Sequence, residues 1–229
     1  MVTPNFLLSG EFKAFEPLLM ERFRTVKHVK KGDVIIAMTA DRSKNCYYVL
    51  NGIAAYIIRH ENGGEKISSL RGEGTIFPLY YTYGSTNIEG SLDVVALSDM
   101  TMINIPKDAF FDLMIEIPRL CIAMCDAWGK YATLLLYDVS SQLFDSANIR
   151  VCSFLYIQSL SLGRRLTMTH EEIGTATGVT RATVSKILGA LSKEGIVSIG
   201  RNHLNILSVE RLLNYCSYMS LADVPNPPV

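Results

Sequence analysis

Four side chains in the C-terminal third of the chain have the types and spacing needed to read a DNA sequence. Arg181, Ala182, Ser185 and Lys186 recur at helical spacing, and each is small or cationic, with no acidic residue among them. Such groups can enter a major groove, where arginine, lysine and hydroxyl side chains hydrogen-bond base edges. The pattern predicts the exposed face of a recognition helix, whereas the blander interpretation is an ordinary solvated helical hairpin.

The residues around this face predict two short helices joined by a tight turn. Thr169 suits the N-cap of the first helix, and Glu172 completes a capping box. Gly178 suits its end, where the chain must enter the left-handed region. Thr180 can then cap the second helix. The apolar residues of that helix follow helical spacing: Val184, Ile187, Leu188 and Leu191. Together these signals predict a helix-turn-helix.

A β-hairpin is predicted directly after the second helix. Two β-prone runs, Ile196–Ile199 and Leu204–Leu207, flank a turn that contains glycine and asparagine. Such a wing would offer Arg201 and His203 to phosphates, and phosphate contacts position a protein on a duplex without reading its sequence. The residues that we expect to bind DNA are Thr169, His170, Thr180, Arg181, Ala182, Thr183, Ser185, Lys186, Arg201 and His203.

The distribution of charge supports double-stranded DNA as a partner. The chain has 229 residues, which suits two domains, and its net charge is zero. Residues 1–145 hold 14 basic and 17 acidic side chains, whereas residues 146–229 hold 8 and 5. The basic excess therefore lies where the helix-turn-helix lies, as phosphate binding requires. Because the excess is modest, we expect affinity to depend on dimeric binding.

Several classes of protein are disfavoured by what the sequence lacks. The N-terminus has no signal-peptide pattern, and no apolar run is long enough to cross a bilayer. Five scattered cysteines suit a reducing compartment, so we expect a cytoplasmic protein with no membrane partner. No catalytic motif or zinc spacing is present. We therefore expect neither an enzyme nor a bound metal or cofactor.

The N-terminal half reads as an all-β domain. Its turns contain Asn51-Gly52, Glu61–Gly64 and Arg71–Gly74, which supply residues that accept positive φ angles. Short β-prone runs at fairly even spacing predict a small barrel or sandwich. These runs are Lys31–Ile36, Cys46–Leu50, Ile53–Ile58, Lys66–Leu70, Asp93–Leu97 and Met102–Ile105.

A long helix is predicted to follow, starting at Pro118, which suits a first helical position. It is apolar over so much of its circumference that two faces must be buried, one on the β-domain and one against a second copy. The predicted dimer seam contains Cys121, Met124, Trp128, Tyr131, Leu135 and Val139. The alternative seam is the neighbouring face, with Leu120, Ala127, Leu134 and Leu136. A hinge is expected near Asp145–Asn148.

This order of parts resembles the CRP/FNR family of bacterial transcription regulators. The most specific pieces are Glu172-Ile173-Gly174, Gly178, Arg181–Leu188 and Tyr48–Gly52. The resemblance implies an α+β fold with a cyclic-nucleotide-binding-like β-roll (residues 1–117), a long dimerisation helix (118–145) and a winged helix-turn-helix (146–229). It also implies a cytoplasmic homodimer on a palindromic operator, switched by a signal in the β-roll. RNA polymerase would be a partner if the protein activates transcription.

The chain departs from the family where cyclic nucleotides bind. Members that bind them place a Gly-Glu pair on the ribose and an Arg-Ser pair on the phosphate. Here the corresponding residues are Phe77-Pro78, followed by Leu79, and then Glu89-Gly90-Ser91, so only the serine remains. A buried cyclic phosphate without a cation would be an unpaired charge. We therefore expect cyclic nucleotide binding to be lost.

An aromatic segment replaces the nucleotide-binding residues. It runs from Phe77 to Ile88, and the long helix would face it, so the effector is expected to be small, neutral or aromatic. In this it is similar to family members that sense aromatic acids. The alternative is that these tyrosines only pack the β-roll against the helix. The expected effector-binding residues are Phe77, Leu79, Tyr80, Tyr81, Tyr83, Ile88, Ser91, Tyr131, Leu134 and Leu135.

Other functions remain open at this point. Cys121 and Cys125 lie one helical turn apart and could form a redox pair across a dimer, although such thiols are more often inert core residues. An iron–sulfur sensor is disfavoured because no cysteine precedes Cys46, and His28 and His60 lack a haem-binding pattern. A constitutive regulator with a degenerate sensor domain, or a scaffold that no longer binds DNA, would also fit.

Overall fold

The computed structural model describes residues 7–37, 44–61, 65–78, 92–201 and 203–217. The chain divides into two compact units, which lie within residues 6–132 and 133–229. The boundary falls inside the long helix α3 (Pro118–Phe144). The predicted α+β class is confirmed, while the three-part division with boundaries at residues 117 and 145 stays a prediction.

The N-terminal unit is built from two sheets. Its strands are β1 (Leu7–Leu8), β2 (Val26–Val29), β3 (Val34–Ile36), β4 (Asn45–Asn51), β5 (Ala54–Arg59), β6 (Glu65–Arg71), β7 (Ile76–Phe77), β8 (Leu92–Ala96) and β9 (Met100–Pro106). One sheet has the order β1-β6-β5-β8-β3, and the other has the order β2-β9-β4-β7. All six predicted strands are present, as β3, β4, β5, β6, β8 and β9. The sequence analysis missed β2 and the two-residue strands β1 and β7.

The turn between β4 and β5 depends on a glycine. Gly52 has a φ of +96°, a region that only glycine enters cheaply. A Cβ at this position would also lie 2.6 Å from the carbonyl oxygen of Asp99. The Asn51-Gly52 pair therefore allows a tight connection and a close approach of two backbone segments.

Helices cover part of these sheets. The short 3-10 helix Lys13–Phe15 leads into α1 (Glu16–Arg22), and α2 (Lys107–Glu116) precedes α3. A buried cluster joins strand, α2 and α3 residues, and it includes Tyr48, Ile103, Phe110, Leu120 and Met124. Burial of the phenol and its hydrogen bond to the Glu16 carboxylate raise the pKa of Tyr48 well above its usual range, and its hydroxyl donates to Glu16 Oε2 at 2.6 Å. The first half of α3 thus belongs to the core of the β unit.

The C-terminal unit contains four further helices and a small sheet. The helices are α4 (Ala147–Leu162), α5 (His170–Thr177), α6 (Arg181–Lys193) and α7 (Val209–Leu213). The sheet has the order β10-β12-β11, from β10 (Arg165–Leu166), β11 (Val197–Gly200) and β12 (His203–Ile206). Strands β11 and β12 form the predicted hairpin, in which Gly200 pairs with His203. Within the residues that the structure describes, no helix is long and apolar enough to cross a membrane.

Candidate DNA interface and effector site

Helices α5 and α6 are held by the caps that the sequence predicted. The Thr169 hydroxyl accepts from the Glu172 backbone N–H at 3.1 Å, and the Thr169 N–H donates to Glu172 Oε2 at 2.7 Å, which completes the capping box. The Thr180 hydroxyl accepts from the Thr183 N–H at 3.3 Å. Gly178 ends α5 at φ 66° and ψ 34°, in the left-handed region. These local signals set where both helices begin and where α5 ends.

A second glycine lets α5 approach the turn before α6. A Cβ at Gly174 would lie 2.5 Å from the carbonyl oxygen of Val179, closer than real Cβ atoms approach backbone oxygens. The Val179 N–H donates to the Gly174 carbonyl at 3.0 Å. The sequence analysis included Gly174 only as part of the family motif, and the structure supplies the steric reason for it.

Helix α6 separates its faces as predicted. Val184, Ile187, Leu188 and Leu191 are buried. The opposite face exposes Arg181, Ala182, Ser185 and Lys186, with Thr183 half-buried. The His170 ring nitrogen Nδ1 lies 2.8 Å from Ser185 Oγ, so these two predicted DNA-binding side chains contact each other across the two helices.

Four of the predicted DNA-binding residues line one concavity. A cavity of about 480 Å³ lies between the start of α5, the start of α6 and the wing. Its lining includes Thr169, His170, Arg181 and His203. The His203 ring packs over Gly200, and its Nδ1 lies 3.1 Å from the Arg201 carbonyl oxygen, while the Arg201 side chain is exposed at the hairpin tip. Tertiary folding thus brings the helix-turn-helix and wing residues together.

The last turn of α3 contacts the turn of the helix-turn-helix. The Gln142 Nε2 donates to the carbonyl oxygen of Thr177 at 3.2 Å, and Arg150 Nη1 donates to Gln142 Oε1. A Cβ at Gly178 would lie 3.0 Å from Gln142 Oε1. The end of α5 is therefore held by the segment that precedes the predicted hinge.

Two of the predicted effector-binding residues lie close together inside the β unit. Phe77 is fully buried, Tyr131 is 9% exposed, and both contact Tyr56. The ring centroids of Tyr56 and Phe77 are 6.3 Å apart, and those of Tyr56 and Tyr131 are 6.5 Å apart. Leu134 is buried and Leu135 is half-buried. The other predicted residues lie outside the described residues: Leu79, Tyr80, Tyr81, Tyr83, Ile88 and Ser91.

Arg71, the last residue of β6, is a functional candidate that was not predicted from the sequence. Its side chain is 1% exposed, and its Cζ lies 4.4 Å from the Tyr56 ring centroid and 4.9 Å from that of Tyr131. Alternation along the strand could have revealed it, because Ser69 and Arg71 are two residues apart and share a face. The family's arginine position stays without a cation, but Arg71 supplies one to this interior from a different strand, and the loss of cyclic nucleotide binding stays a prediction.

Burial along α3 bears on the predicted dimer seam, which stays a prediction. Met124 and Tyr131 lie in the interior of their own unit, and Trp128 is half-buried with its ring centroid 6.0 Å from that of Tyr131. The alternative face is also buried at Leu120, Ala127 and Leu134. A different set of exposed, apolar or small residues follows heptad spacing along α3: Ile122, Cys125, Gly129, Ala132, Leu136, Val139 and Leu143. We therefore place the proposed seam on that stripe, which retains only Val139 from the first prediction.

The cysteines fall into two groups. Burial raises the pKa of the Cys46, Cys152 and Cys216 thiols to about 12, so these three remain protonated and unreactive at neutral pH. Cys121 and Cys125 on α3 are exposed. Across the described part of the chain, no cluster of three or more histidine, cysteine or acidic side chains could hold a metal ion.

The comparisons with known proteins agree with this geometry. Residues 26–116 match the model of the cyclic nucleotide-binding domain, and residues 149–215 match that of the Crp-like helix-turn-helix domain. The chain is 26% identical over 215 residues to the fumarate and nitrate reduction regulatory protein of Yersinia pestis, covering 88% of this chain and 80% of that protein. It is 24% identical over 165 residues to the cyclic AMP receptor protein of Thermus thermophilus, covering 70% and 74%.

A solved structure shows the same arrangement of elements. A CooA mutant from Carboxydothermus hydrogenoformans superposes with a TM-score of 0.74 at 19% identity, covering 91% of this chain and 99% of that one. A β-roll, a long helix and a winged helix-turn-helix define a DNA-binding regulator with an effector-binding domain. The chain belongs to the CRP/FNR family of transcription regulators.

Proposed function

We propose that this regulator is a homodimer that reads a palindromic operator and is switched by a small non-nucleotide effector in its β unit. The observation that carries the DNA-reading part is the exposed face of α6. Arg181, Ser185 and Lys186 are exposed there without an acidic neighbour on that face, while the opposite face is buried. Arginine and lysine bind guanine edges, and serine can bind either base of a pair.

The exposed stripe on α3 supports the homodimer. Leu136 and Leu143 are each 71% exposed, and Ile122 is 61% exposed, which is costly for apolar side chains at heptad spacing in a lone helix. Gly129 and Ala132 in the middle of the stripe are small, and a Cβ at Gly129 would meet open space. Two such helices could approach closely there. The two recognition helices would then lie about 34 Å apart, in successive major grooves.

The departures at the nucleotide-binding positions support a non-nucleotide effector. Phe77 stands where the family has a glycine, and its ring is fully buried between those of Tyr47 and Tyr56, with centroid distances of 5.7 Å and 6.3 Å. Glutamate and arginine of the two family pairs are absent from their usual positions. The effector must bind the DNA-competent state more tightly, and a coupling of about 1–3 kcal/mol would change operator affinity roughly 5- to 150-fold.

Operator selection tests this function. Purified full-length protein is incubated with random duplexes, bound DNA is sequenced, and the selected site is footprinted with and without candidate aromatic compounds and cyclic AMP. We expect a two-fold symmetric site, protection that responds to a non-nucleotide compound, and no response to cyclic AMP. The selection is repeated with each compound present. Absence of any enriched site under all of these conditions would reject DNA reading, and a cyclic AMP response would reject the non-nucleotide effector.

A second candidate signal is thiol oxidation, which the exposure of Cys121 and Cys125 favours. In this alternative, a disulfide between the α3 helices of the two subunits would replace the small-molecule effector. Diamide treatment of the wild type and of a Cys121→Ser/Cys125→Ser variant separates the two signals. A change in operator affinity that occurs only in the wild type would support redox sensing, whereas equal affinities would leave the small-molecule effector as the signal.

A further inference from the structure

Arg71 lies inside the β unit as a cation that the fold itself does not neutralise. Its side chain is 1% exposed, and its one hydrogen bond among the described residues is a long one, from Nη1 to the Leu70 carbonyl oxygen at 3.3 Å. Its Nε–H has no hydrogen-bond partner within the described part of the chain. No carboxylate of those residues forms an ion pair with it. Buried charges are ordinarily paired, because an isolated one keeps the full desolvation penalty.

Two aromatic rings flank the guanidinium of Arg71. Tyr56 and Tyr131 lie 4.4 Å and 4.9 Å from its Cζ, and their centroids are 6.5 Å apart with the rings at 84° to each other. The guanidinium therefore sits in the corner of two nearly perpendicular rings. Both rings stabilise the cation through their faces, but neither accepts a hydrogen bond in the guanidinium plane.

Ser69 supplies a second buried polar group on the strand face that carries Arg71. Ser69 is fully buried, and its hydroxyl has no hydrogen-bond partner in the described residues. It pairs with Tyr56 across the sheet and shares a strand face with Arg71. Buried polar groups without partners are uncommon in native proteins and usually indicate a ligand or water. The N–H groups of a guanidinium and a neighbouring hydroxyl can together donate hydrogen bonds to a carboxylate or a phosphate.

We propose that Arg71, with Ser69, binds the anionic group of the effector, a carboxylate or phosphate whose apolar part packs against Tyr56 and Tyr131. This inference rests on the proposed effector-switched function and narrows its effector to oxyanions. It replaces the expectation of a neutral effector, because a neutral molecule would leave the guanidinium uncompensated.

The test uses full-length protein without DNA and ligand pairs that differ in charge. Phenylacetate is compared with phenylacetamide, and phenyl phosphate with phenol, at constant ionic strength. The readouts are the Tm and the Nε–H resonance of Arg71, assigned by its absence in Arg71→Lys. We expect both anions to shift the resonance and one of them to raise the Tm more, which identifies the carboxylate or the phosphate as the natural group.

Variants give the second arm. Arg71→Met keeps the length of the side chain and removes its charge, and it should weaken anion binding about 10- to 100-fold. Arg24→Met is the matched control, because Arg24 is an exposed arginine of the same unit. It should bind the anions like the wild type. If Arg71→Met does not fold, Arg71→Lys takes its place in the comparison with Arg24→Met. Arg71→Lys retains the positive charge but lacks the planar guanidinium donors, so it should also weaken anion binding.

Three outcomes would overturn the proposal. In the first, a neutral ligand raises the Tm as much as the matching anion does. In the second, Arg71→Met still binds the anions as tightly as the wild type. In the third, no anion changes either the Tm or the Arg71 resonance. Operator binding distinguishes failure of the anion site from failure of the function. Anion binding at Arg71 that leaves operator affinity unchanged would keep the site and reject the switch, whereas operator affinity that responds only to neutral compounds would keep the switch and reject the anionic class.

Discussion

The two units present their candidate functional side chains in opposite ways. In the C-terminal unit, Arg181 and Lys186 are exposed on α6. In the N-terminal unit, Arg71, Tyr56 and Phe77 are each at most 1% exposed. The comparison indicates that the DNA-reading surface can be changed without changing stability, whereas the sensor interior cannot.

The physical reason lies in what each unit must recognise. A DNA duplex is rigid and brings its own charge, so base-reading side chains must project from the surface into the groove. A small effector gains affinity only where it is removed from water, so its binding groups must lie in a low-dielectric interior. The same interior side chains then also hold the fold together. The predictions below test this division, beginning with the largest expected effect.

Replacing Phe77 should test whether a predicted effector residue is primarily a core residue. Phe77→Ala removes a fully buried ring between Tyr47 and Tyr56, so the free energy of unfolding should fall by about 3–5 kcal/mol. Phe77→Leu, the conservative control, should cost less than about 1.5 kcal/mol. Urea denaturation of both variants measures this. An unaltered midpoint for Phe77→Ala would show that the ring does not contribute to the core.

A charge on the exposed stripe of α3 should break the dimer without unfolding either unit. Leu136→Glu would place a carboxylate in an apolar seam, and we expect the dimer to weaken by about 3 kcal/mol or more, roughly 100-fold. Sedimentation velocity measures this change. Ile115→Glu is the control, since Ile115 is 80% exposed but lies on α2, and it should remain dimeric.

The outcome for Leu136→Glu also decides between the two seams. If this variant stays dimeric, the exposed stripe is not the interface. Trp128→Glu, which the first seam suggested, is a poorer test because the Trp128 ring is half-buried against Tyr131 and belongs to the core. We expect Trp128→Glu to lower the Tm whether or not the dimer forms.

Removing Arg181 should affect DNA reading alone. Arg181→Ala should cost about 1–3 kcal/mol on the selected operator and relax preference at one base pair, with an unchanged Tm because the side chain is exposed. Arg201→Ala in the wing is the comparison variant. It should weaken binding to all DNA sequences alike, and it should reduce the slope of log affinity against log salt concentration by about 1. Fluorescence anisotropy over a salt series separates the two effects. Unchanged sequence preference in Arg181→Ala would mean that α6 is not the reading helix.

Two glycines of the C-terminal unit should respond to alanine with opposite signs. Gly178 has a φ of +66°, and a Cβ there would lie 3.0 Å from Gln142 Oε1, so Gly178→Ala should destabilise the protein by about 1–2 kcal/mol. Gly189 lies inside α6 with nothing within 4 Å of an added Cβ. Gly189→Ala should stabilise by about 0.5–1 kcal/mol. Calorimetry of the free protein measures both shifts, and a stabilising Gly178→Ala would contradict the left-handed cap.

The helix-turn-helix was predictable from sequence because its signals are local. Thr169, Glu172, Gly178 and Thr180 act within a turn of where they lie, and the apolar spacing of α6 identifies its buried face. The β-roll strands were likewise predictable from short β-prone runs between glycine-containing turns. Only strands too short or too polar to stand out, β1, β2 and β7, were missed.

The sequence alone does not separate the two candidate seams on α3, because two apolar faces of one helix look alike in a sequence. A heptad drawn through Met124 and Tyr131 is as regular as one drawn through Leu136 and Val139. Which face is buried depends on the strands that pack on it, and those strands are distant in sequence. The exposed stripe can be recognised only from the tertiary structure, which buries the face of α3 that contains Leu120, Met124 and Ala127.

Local spacing and capping in the sequence were enough to predict the family, the order of elements and the side chains expected to contact DNA. Tertiary structure alone decided that Arg71 lies inside the β unit beside Tyr56 and Tyr131, residues 15 and 60 positions away along the chain. The charge of an arginine is evident from sequence, but its burial depends on long-range pairing of β5 with β6 and on the docking of α3. Because burial removes the guanidinium from water, Arg71 becomes a candidate binding group for an anion.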